Sequence, residues 1–380
     1  MEQRRPTRVL FSCSSVGITH RGIESFFRES FDHLKGTPGL NAKLLKGGGA
    51  PAVDETVVKC LPKTGRLARM IGIATGRSSY AVEQWSSFPS VAREIRRFRP
   101  HVVFTSDANL SFLLRRFRRQ IGAPFRVLFS NGGPCHPPFD RHDFVHQVAP
   151  FYLDEAVSAG EPPEKHFLVP YGIHVPEAPI PGPEEKRALR ERLRLPVDRR
   201  VILSVGWIAR RHKRMDYVIE EIARLPEPRP FLQLLGAIDE DSAEIVAMGD
   251  GMLGPENFSV RSVPYEEVHD YYRGADLFVL ASLQEGFGRV YLEALMHGLP
   301  TIGHDHPVIR YVLGDAGICA DLSRPGGLAE PLSCLLKSGD LDAQSADASR
   351  RRASVANRFG WEALRGAYLE MFRQAAGGIQ

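Results

Sequence analysis

Apolar and polar positions alternate along the chain in two blocks of the same kind. Short apolar runs, typical of buried parallel strands, are followed by segments in which apolar residues recur every three or four positions, as in helices. The first block predicts strands at 8–13, 42–45, 102–105, 126–130 and 167–170, and helices at 22–34, 91–98 and 110–120. The second predicts strands at 201–205, 232–235, 258–263, 277–281 and 301–303, and a final helix at 361–375. This alternation predicts an α/β doubly wound sheet in each block.

A proline-rich stretch separates the two blocks. Segment 175–183 contains four prolines in nine residues, which is incompatible with a helix or a central strand. The sequence therefore predicts an N-terminal domain over 1–175, a linker over 176–183 and a C-terminal domain over 184–360. The remaining residues, 361–380, are predicted to form a C-terminal helix.

Composition agrees with two domains and narrows the protein class. With 380 residues and 43% hydrophobic content, the chain can bury two sizeable cores. Its five cysteines include no CxxC pair, so we expect reduced thiols and no zinc site. We expect no signal peptide at the N-terminus, and no apolar run is long enough to span a bilayer. We expect a cytoplasmic protein, with peripheral attachment to the inner membrane surface left open.

The net charge of +4 conceals an asymmetry. Residues 1–170 hold 24 Lys+Arg against 15 Asp+Glu, a net of +9, and the remainder holds 25 against 30, a net of −5. Arginines cluster at 93–99 and 115–119. Such clusters attract anionic lipid, a phosphorylated acceptor or nucleic acid, or they are solvated helix faces. No base-reading motif is present, so no nucleic-acid partner is expected.

A short apolar helix is predicted over 67–73, between glycine-containing loops at 47–49 and 75–79 that we interpret as mobile. Basic residues flank this helix, so it could contact a membrane. A packed surface helix is the favoured interpretation.

The strongest candidate site follows the strand at 277–281. Glu285 comes four residues after the end of this strand, glycines at 286 and 288 permit close approach of a ligand, and the next helix directs N–H groups towards an anion. Glu285 and Glu293 would lie roughly 12 Å apart along a helix axis, too far to share one atom. They could bracket an elongated polyhydroxyl ligand that contains phosphate, such as a nucleotide-sugar. The alternative is that both acids decorate a helix surface.

The stretch EGFGRVYLEA, from Glu285, is similar to the E-x7-E signature of retaining glycosyltransferases of family 4. The resemblance implies the GT-B fold, with two Rossmann-like domains facing a cleft and a C-terminal helix crossing back. It implies that Glu285 and the backbone of Gly286, Phe287 and Gly288 hold the donor sugar. Glu293 would bind the nucleotide ribose.

A second chemical segment follows the strand at 201–205. Gly206 ends that strand, and a loop with Arg210, Arg211 and Lys213 leads into a helix. Cations in such a loop can neutralise a diphosphate and stabilise it as a leaving group. The alternative is a solvated basic loop with Asp216 as a helix cap.

This loop resembles the family's G-R-…-K loop, whose Arg and Lys bind the donor diphosphate. Lys213 matches the Lys, whereas Trp207 stands where the family has Arg. Arg210 or Arg211 could substitute for the missing cation.

Weaker candidates follow other strands. By resemblance, Gly17 belongs to a first loop that borders the donor phosphates, although it could equally be a turn residue. Asn131 and His136 lie where relatives contact the donor sugar or the acceptor, and His136 could instead be a surface-loop histidine. The backbone at Val263 could border the base. Segment 304–306, His-Asp-His, is interpreted as a structural or acceptor-side loop and not as a metal site.

Together with the resemblance, these patterns predict an enzyme that transfers a hexosyl unit from a UDP- or GDP-sugar, and the resemblance implies that the anomeric configuration is retained. The acceptor would be a hydroxyl of a glycan, lipid or small molecule, anionic or membrane-associated in some cases. Glu285, Lys213 and His136 are the predicted catalytic residues, and no cofactor is expected. The alternatives are a nucleotide-sugar epimerase or glycan phosphorylase of the same architecture, or a non-catalytic nucleotide-sugar-binding protein. The oligomeric state is not predicted.

Overall fold

The computed structural model describes residues 6–19, 21–133, 135–337 and 344–377. The chain divides into two compact units. Unit 1 comprises the described residues of Met1–His174 and Trp361–Gln380, and unit 2 comprises those of Val175–Gly360.

Unit 1 is built on a parallel sheet that has seven strands within its described residues, in the order β3-β2-β1-β4-β5-β6-β7. The strands are β1 Thr7–Cys13, β2 Leu40–Lys46, β3 Glu55–Val57, β4 Val102–Thr105, β5 Arg126–Asn131, β6 Phe144–Gln147 and β7 His166–Leu168. The helices are α1 Gly22–Leu34, α2 Arg66–Thr75, α3 Ser79–Phe98, α4 Ala108–Arg116, α5 Arg118–Ile121, α6 Pro150–Ser158 and, from the end of the chain, α15 Trp361–Ala375.

The core of unit 1 lies on both faces of β1. Val9, Leu10 and Phe11 are all fully buried, as expected for a strand covered on both sides by helices. The ring of Phe372, on α15, packs edge-on against Phe11 with centroids 5.6 Å apart. At the start of α15, the Trp361 indole N–H donates to a Glu29 carboxylate oxygen at 2.8 Å. The final helix therefore returns to the N-terminal unit, which confirms that part of the expected fold.

Unit 2 repeats the plan with a parallel sheet of six strands in its described part, in the order β10-β9-β8-β11-β12-β13. The strands are β8 Val201–Val205, β9 Phe231–Leu235, β10 Phe258–Arg261, β11 Leu277–Leu280, β12 Thr301–His304 and β13 Ile318–Ala320. The helices are α7 Pro183–Leu193, α8 Met215–Ala223, α9 Ser242–Leu253, α10 Tyr265–Gly274, α11 Arg289–Met296, α12 Pro307–Leu313, α13 Ala329–Lys337 and α14 Gln344–Phe359. Two Rossmann-like units are thus confirmed.

Several predicted element bounds differ from the structure. The helix predicted at 91–98 is the end of α3, which begins twelve residues earlier, where the Ser78 hydroxyl accepts a hydrogen bond from the Ala81 N–H at 3.1 Å. The helix predicted at 110–120 is divided between α4 and α5, and the strand predicted at 258–263 ends at Arg261. Strands β3, β6 and β13 and helices α6, α7, α9, α10 and α12 were not predicted. The three strands are short and lack a long apolar run.

The proline-rich segment belongs to unit 2 and packs against the rest of it. The guanidinium of Arg352 donates to the Ala178 carbonyl at 2.7 Å, and the Ile180 side chain lies close to Gly298. Helix α7 begins at Pro183, a position that suits proline because the first N–H of a helix has no intrahelical partner. None of the helices in the described ranges combines the length and apolar character that a bilayer span requires.

Candidate functional site

The candidate site lies at the carboxyl edge of the unit 2 sheet. Strands β8 and β11 are parallel neighbours, with Ile202 opposite Leu277 and Leu203 opposite Phe278. The loops that follow these two strands therefore emerge side by side. Ligands of open α/β sheets bind at this edge. The structure thus brings together the two segments that the sequence marked separately.

An ion pair joins the two loops. The Lys213 ammonium nitrogen lies 2.5 Å from a Glu285 carboxylate oxygen, and both side chains are largely shielded from solvent. The aliphatic part of Lys213 lies along Gly206, where an added Cβ would approach the lysine Cγ and Cδ to 3.2 Å. Gly206 therefore leaves room for the lysine side chain on its way to Glu285.

The backbone around Lys213 is strained. His212 and Arg214, on either side of it, have left-handed backbone angles, with φ of +61° and +50°. Such conformations cost non-glycine residues about 1–2 kcal/mol each. Between them, the Lys213 N–H donates to the Arg211 carbonyl at 2.6 Å in a tight turn. Strain of this kind is typical of loops that hold a functional side chain in a set position.

The turn into α11 needs glycine for a reason within the protein. Gly288 caps the helix with φ +80°, and a Cβ there would lie 2.6 Å from the ring of Tyr291. Tyr291 is fully buried, and its hydroxyl donates to the Leu280 carbonyl at 3.2 Å, at the end of β11. Glycine at 288 therefore leaves room for Tyr291, whose hydrogen bond ties the start of α11 to the end of β11.

Glu293 is buried within α11, and the Tyr272 hydroxyl donates to its carboxylate at 3.0 Å. Tyr272 stacks on His297 with centroids 5.6 Å apart. Burial, together with the negative charge of Glu293, raises the pKa of Tyr272, so this phenol stays protonated as a donor. The predicted separation of 12 Å assumed that Glu285 and Glu293 share one helix axis. That assumption was wrong, because α11 begins at Arg289 and Glu285 precedes it. Glu285 lies in the turn between β11 and α11, and Glu293 lies inside α11.

The remaining cations of the basic loop point elsewhere. The Arg210 guanidinium pairs with Glu244 at 2.9 Å on the surface, and Arg211 is exposed. The indole N–H of Trp207 donates to Asp239 at 2.8 Å, and about half of this side chain is exposed. Lys213 is therefore the member of the loop that the structure places against Glu285.

Helix α8 begins without the predicted cap. Arg214 is its N-cap residue, and Asp216 lies inside the first turn, where it makes no capping hydrogen bond. The Arg214 guanidinium donates to the Leu322 carbonyl at 2.5 Å and lies over the ring of Tyr217. The interpretation of Asp216 as a helix cap was therefore wrong.

The weaker unit 2 candidates occupy peripheral or structural positions. Val263 is half-buried just beyond β10. The His304 ring accepts the Leu322 N–H at 3.1 Å, and the His306 ring accepts the Val308 N–H at 3.2 Å, which caps α12. Among the described residues, no group of three His, Cys, Asp or Glu side chains is placed to hold a metal.

In unit 1, two of the predicted contacts are tied into loops. Gly17 has φ +78°, and a Cβ there would lie 2.4 Å from the Gly48 carbonyl oxygen, so the loop after β1 packs on the glycine loop at 47–49. The N–H groups of Gly47 and Gly48 both donate to the Val16 carbonyl. This close backbone approach accounts for Gly17 as a turn residue.

Asn131 is fully buried, and its amide nitrogen donates to the Cys135 carbonyl and to the Gln147 side chain, at 3.1 and 2.9 Å. Both of its N–H groups are thus used inside the protein, so the expected acceptor contact is not supported for Asn131. His136 is exposed, and its ring lies 2.8 Å from a Glu155 carboxylate oxygen. The predicted role of His136 stays a prediction.

A buried polar cluster at the carboxyl edge of the unit 1 sheet was not predicted. Glu83, on α3, accepts the hydroxyls of Ser14 and Ser15 at 3.1 and 2.5 Å, and the Lys63 N–H at 2.8 Å. The Lys63 ammonium bonds Ser15 and pairs with Glu24 at 3.2 Å. These contacts hold the loop after β1 against α3.

Asp107, two residues after the end of β4, completes this cluster. Its carboxylate accepts the Ser14 N–H at 2.8 Å and the Tyr80 hydroxyl at 3.3 Å. Burial raises the pKa of Asp107 to about 6, against the lowering effect of the hydrogen bonds from Ser14. The position after a strand end was a signal that could have found Asp107. Nothing in the sequence marks Glu83, whose partners come from distant segments.

The match to a known protein family falls within one of the two units. Residues 185–352, all inside unit 2, match the family model described as Glycosyl transferases group 1. A D-inositol 3-phosphate glycosyltransferase from Thermobispora bispora is 33% identical over 238 residues, which cover 56% of this chain and 51% of the relative. The chain spans about half the length of the curated relatives it matches.

Solved structures are similar over nearly the whole chain. Sucrose-phosphate synthase from Thermosynechococcus elongatus has a TM-score of 0.75 at 17% identity, covering 97% of this chain and 98% of the other. Anabaena HepE, solved with UDP and glucose, has a TM-score of 0.73 at 14% identity, covering 97% and 99%. At these identities the likeness concerns the fold, which is GT-B.

Proposed function

We propose that this chain is a retaining glycosyltransferase of family 4, which moves a hexosyl unit from a nucleotide diphosphate sugar to an acceptor hydroxyl. Unit 2 would bind the donor. The observation that carries the proposal is the Lys213–Glu285 ion pair of 2.5 Å, held at the carboxyl edge of β8 and β11.

The pair offers one charge for each half of a donor. A diphosphate would engage the Lys213 ammonium, and the sugar hydroxyls would donate to Glu285. The ion pair would then open as the donor binds, since each partner finds a new one. After this exchange the ammonium still faces an anion and the carboxylate still accepts hydrogen bonds, so neither shielded charge is left without a partner.

Glu293 would accept hydrogen bonds from the ribose. The Tyr272 hydroxyl, 3.0 Å away, fixes the orientation of that carboxylate before a ligand arrives. A carboxylate held in place loses little side-chain freedom on binding, which favours affinity. Tyr272 is therefore a positioning residue on this proposal.

The chemical step would be a front-face substitution, as the resemblance implies. The bond from the anomeric carbon to the diphosphate oxygen breaks, and the acceptor oxygen bonds to the same face. The departing diphosphate takes the acceptor proton, so no side chain has to act as a strong base. Lys213 would stabilise the negative charge that develops on the leaving group, and such interactions typically contribute about 10²–10³-fold in rate. Arg210, which pairs with Glu244 on the surface, or the exposed Arg211 would add to this stabilisation only after turning towards the diphosphate.

The comparisons support this proposal at a coarser level. The matched family model is a glycosyltransferase model, and it covers the residues that form the unit 2 site. The relatives carry glycosyltransferase names, and one structural neighbour was solved with UDP-glucose. The donor, the acceptor and the retention of configuration belong to the proposal.

A donor screen tests the proposal. The purified chain is heated with UDP-, GDP- and ADP-sugars, and with the matching nucleoside monophosphates as controls. A ligand that binds the folded state raises Tm by mass action, so one sugar-nucleotide class is expected to raise it most. If none of them shifts Tm, the donor site assigned to unit 2 is contradicted.

A turnover assay then separates the alternatives. Release of the nucleoside diphosphate with an acceptor, and an NMR signal for the retained anomer in the product, are expected. Donor binding without turnover on any offered acceptor would favour a non-catalytic nucleotide-sugar-binding protein. An altered sugar still attached to its nucleotide would favour an epimerase, and an inverted product would contradict the retaining mechanism.

A further inference from the structure

Helix α2 in unit 1 exposes its large apolar side chains. Leu67 is 54% exposed, Met70 66% and Ile73 84%. The helix rests on the protein through small residues, since Ala68 and Gly72 are its buried ones. The sequence favoured a packed surface helix, and α2 does pack on the protein, but it does so through its small residues and leaves its large apolar ones uncovered.

The attachment through small residues is close. A Cβ at Gly72 would lie 2.7 Å from the Arg77 carbonyl oxygen, in the turn that leads into α3. Before the helix, the Lys63 backbone and side chain are bonded to Glu83, Ser15 and Glu24 in the buried polar cluster. Helix α2 is thus held at both ends with its apolar face outwards.

The exposed face also carries cations. At about 100° per residue, Arg66 falls between Met70 and Ile73 on the helix circumference, and Arg69 borders the same face. Lys59 and Arg77, which flank the helix in sequence, are exposed as well. No Asp or Glu occurs between Glu55 and Glu83.

We propose that this α2 face docks onto an anionic lipid bilayer, with Leu67, Met70 and Ile73 inserted below the head groups and Arg66 and Arg69 at phosphate level. Apolar side chains interleaved with arginine and free of acids are the pattern of a helix that lies in a membrane interface. Each nearby cation adds attraction to an anionic surface. Docking needs neither turnover nor a bound donor, so it is separable from the proposed reaction.

Vesicle flotation tests the docking directly. The purified chain is mixed with phosphatidylcholine vesicles, either pure or with about 30% phosphatidylglycerol, at salt concentrations from about 0.05 to 0.5 M. Binding to the anionic vesicles is expected, decreasing with salt. Equal binding to both vesicle types, or no binding to either, would overturn the proposal.

Variants assign the binding to α2. Leu67→Ser with Met70→Ser and Ile73→Ser is expected to weaken binding at least about tenfold, because three inserted side chains lose their apolar surface. The matched control is Val157→Ser, which removes another exposed apolar side chain of unit 1, on α6, and is expected to leave binding unchanged. Since all four side chains are exposed, the Tm of each variant is expected to stay near that of the parent.

Charge variants distinguish α2 from the second basic cluster. Arg66→Glu with Arg69→Glu is expected to weaken binding at least about tenfold, and Arg115→Glu with Arg116→Glu much less. The reverse order would place the docking surface on α4 and overturn the assignment. Sedimentation without lipid tests whether a second copy of the chain covers this face instead. If the parent forms a dimer, the triple serine variant does not, and neither binds vesicles, the α2 face is a dimer contact and the proposal is overturned.

Discussion

Strand β11 has a lysine–carboxylate ion pair at each end, and the two pairs differ in their surroundings. At the amino end, Asp276 is paired with Lys186 at 2.7 Å and Arg190 at 2.5 Å, and it accepts the Val201 N–H at 2.7 Å. At the carboxyl end, Glu285 meets Lys213 at 2.5 Å. Lys186 and Arg190 lie on helix α7, whereas the lysine paired with Glu285 lies on a strained loop.

This difference separates a structural ion pair from a candidate ligand site. Burial alone would raise the pKa of Asp276, but Lys186 and Arg190 outweigh it and hold this pKa below its usual value. That pair joins α7 to the sheet. The Lys213–Glu285 pair lies where open α/β sheets bind ligands, beside glycines that leave room. Position relative to strand direction, more than the chemistry of the pair, indicates function.

Removal of Asp276 is expected to have the largest effect on stability. Asp276→Ala leaves Lys186 and Arg190 without their buried partner, which costs about 3–5 kcal/mol. Thermal unfolding is expected to show a Tm lower by more than about 6 °C. The control is Asp305→Ala, which removes an exposed partner of Arg310 and is expected to change Tm little. A similar Tm for both variants would contradict the structural role of the amino-end pair.

Glu285→Gln is expected to affect transfer and not folding. The amide keeps the size of the side chain but loses the charge that we propose accepts hydrogen bonds from sugar hydroxyls, so kcat/KM is expected to fall by at least ~10²-fold. Circular dichroism and Tm would check that the variant is folded. Glu330→Gln, at an exposed ion pair with Arg324, is the control and should retain full activity. Retained transfer in Glu285→Gln would place the sugar site elsewhere.

Asp107 allows the same comparison at the carboxyl edge of the unit 1 sheet, where hydrogen bonds within the protein hold the carboxylate. Because burial raises its pKa to about 6, the folded protein keeps this proton at a pH where the unfolded chain has released it. Its contribution is therefore fully present below about pH 4 and is lost as the pH rises through about 6. Relative to Asp107→Asn, the parent Tm is expected to fall by roughly 3–6 °C between pH 4.5 and pH 7.

Other buried groups also make stability depend on pH, and the Asp107→Asn variant serves as the reference that removes their effect. Burial lowers the pKa of His142 to about 3 and that of His146 to about 4, so these rings stay neutral in the folded protein. Their contribution is present above about pH 6.5 and decreases as the pH falls. Both proteins share it, so it cancels in the difference. A difference that does not change with pH would contradict the account of Asp107.

Trp207→Arg is expected to give the smallest effect, and it is a gain. The tryptophan side chain is half-exposed, so the change should cost little stability. An added cation at this loop position should lower KM for the donor by roughly threefold to tenfold, as expected for one partly solvated charge contact. Trp207→Gln is the control, since it removes the indole without adding charge. An unchanged KM in both would show that this position does not face the diphosphate.

The sequence predicted the long buried elements well, because their apolar runs record burial on both faces. The helix at 22–34 and the strands at 102–105 and 201–205 match the structure residue for residue. The three-residue strands β3 and β13 escaped prediction, since all of their residues are half-buried at sheet edges. Their pairing depends on the neighbouring strand and not on local composition.

The candidate site was predictable where residues follow a strand end, as Glu285 and Lys213 do. Partners that reach the site from other elements were not predictable, and Tyr272 from α10 is the example in unit 2. In unit 1, Gly17 and Asn131 had the right position after a strand, yet their surroundings are packed by the protein itself. A strand-end pattern marks an edge of the sheet but does not show whether that edge is filled.

The most direct test of the donor site is to compare kcat/KM for Lys213→Ala and Lys186→Ala with the donor identified by the screen. Both variants remove a lysine paired to a carboxylate, one at each end of β11. We expect Lys213→Ala to lose at least ~10²-fold in kcat/KM and Lys186→Ala to change kcat/KM little, with the Tm of each variant measured to check that it is folded in the assay. Near-parental kcat/KM in Lys213→Ala, or equal losses in both variants, would contradict the assignment of Lys213 to the donor diphosphate.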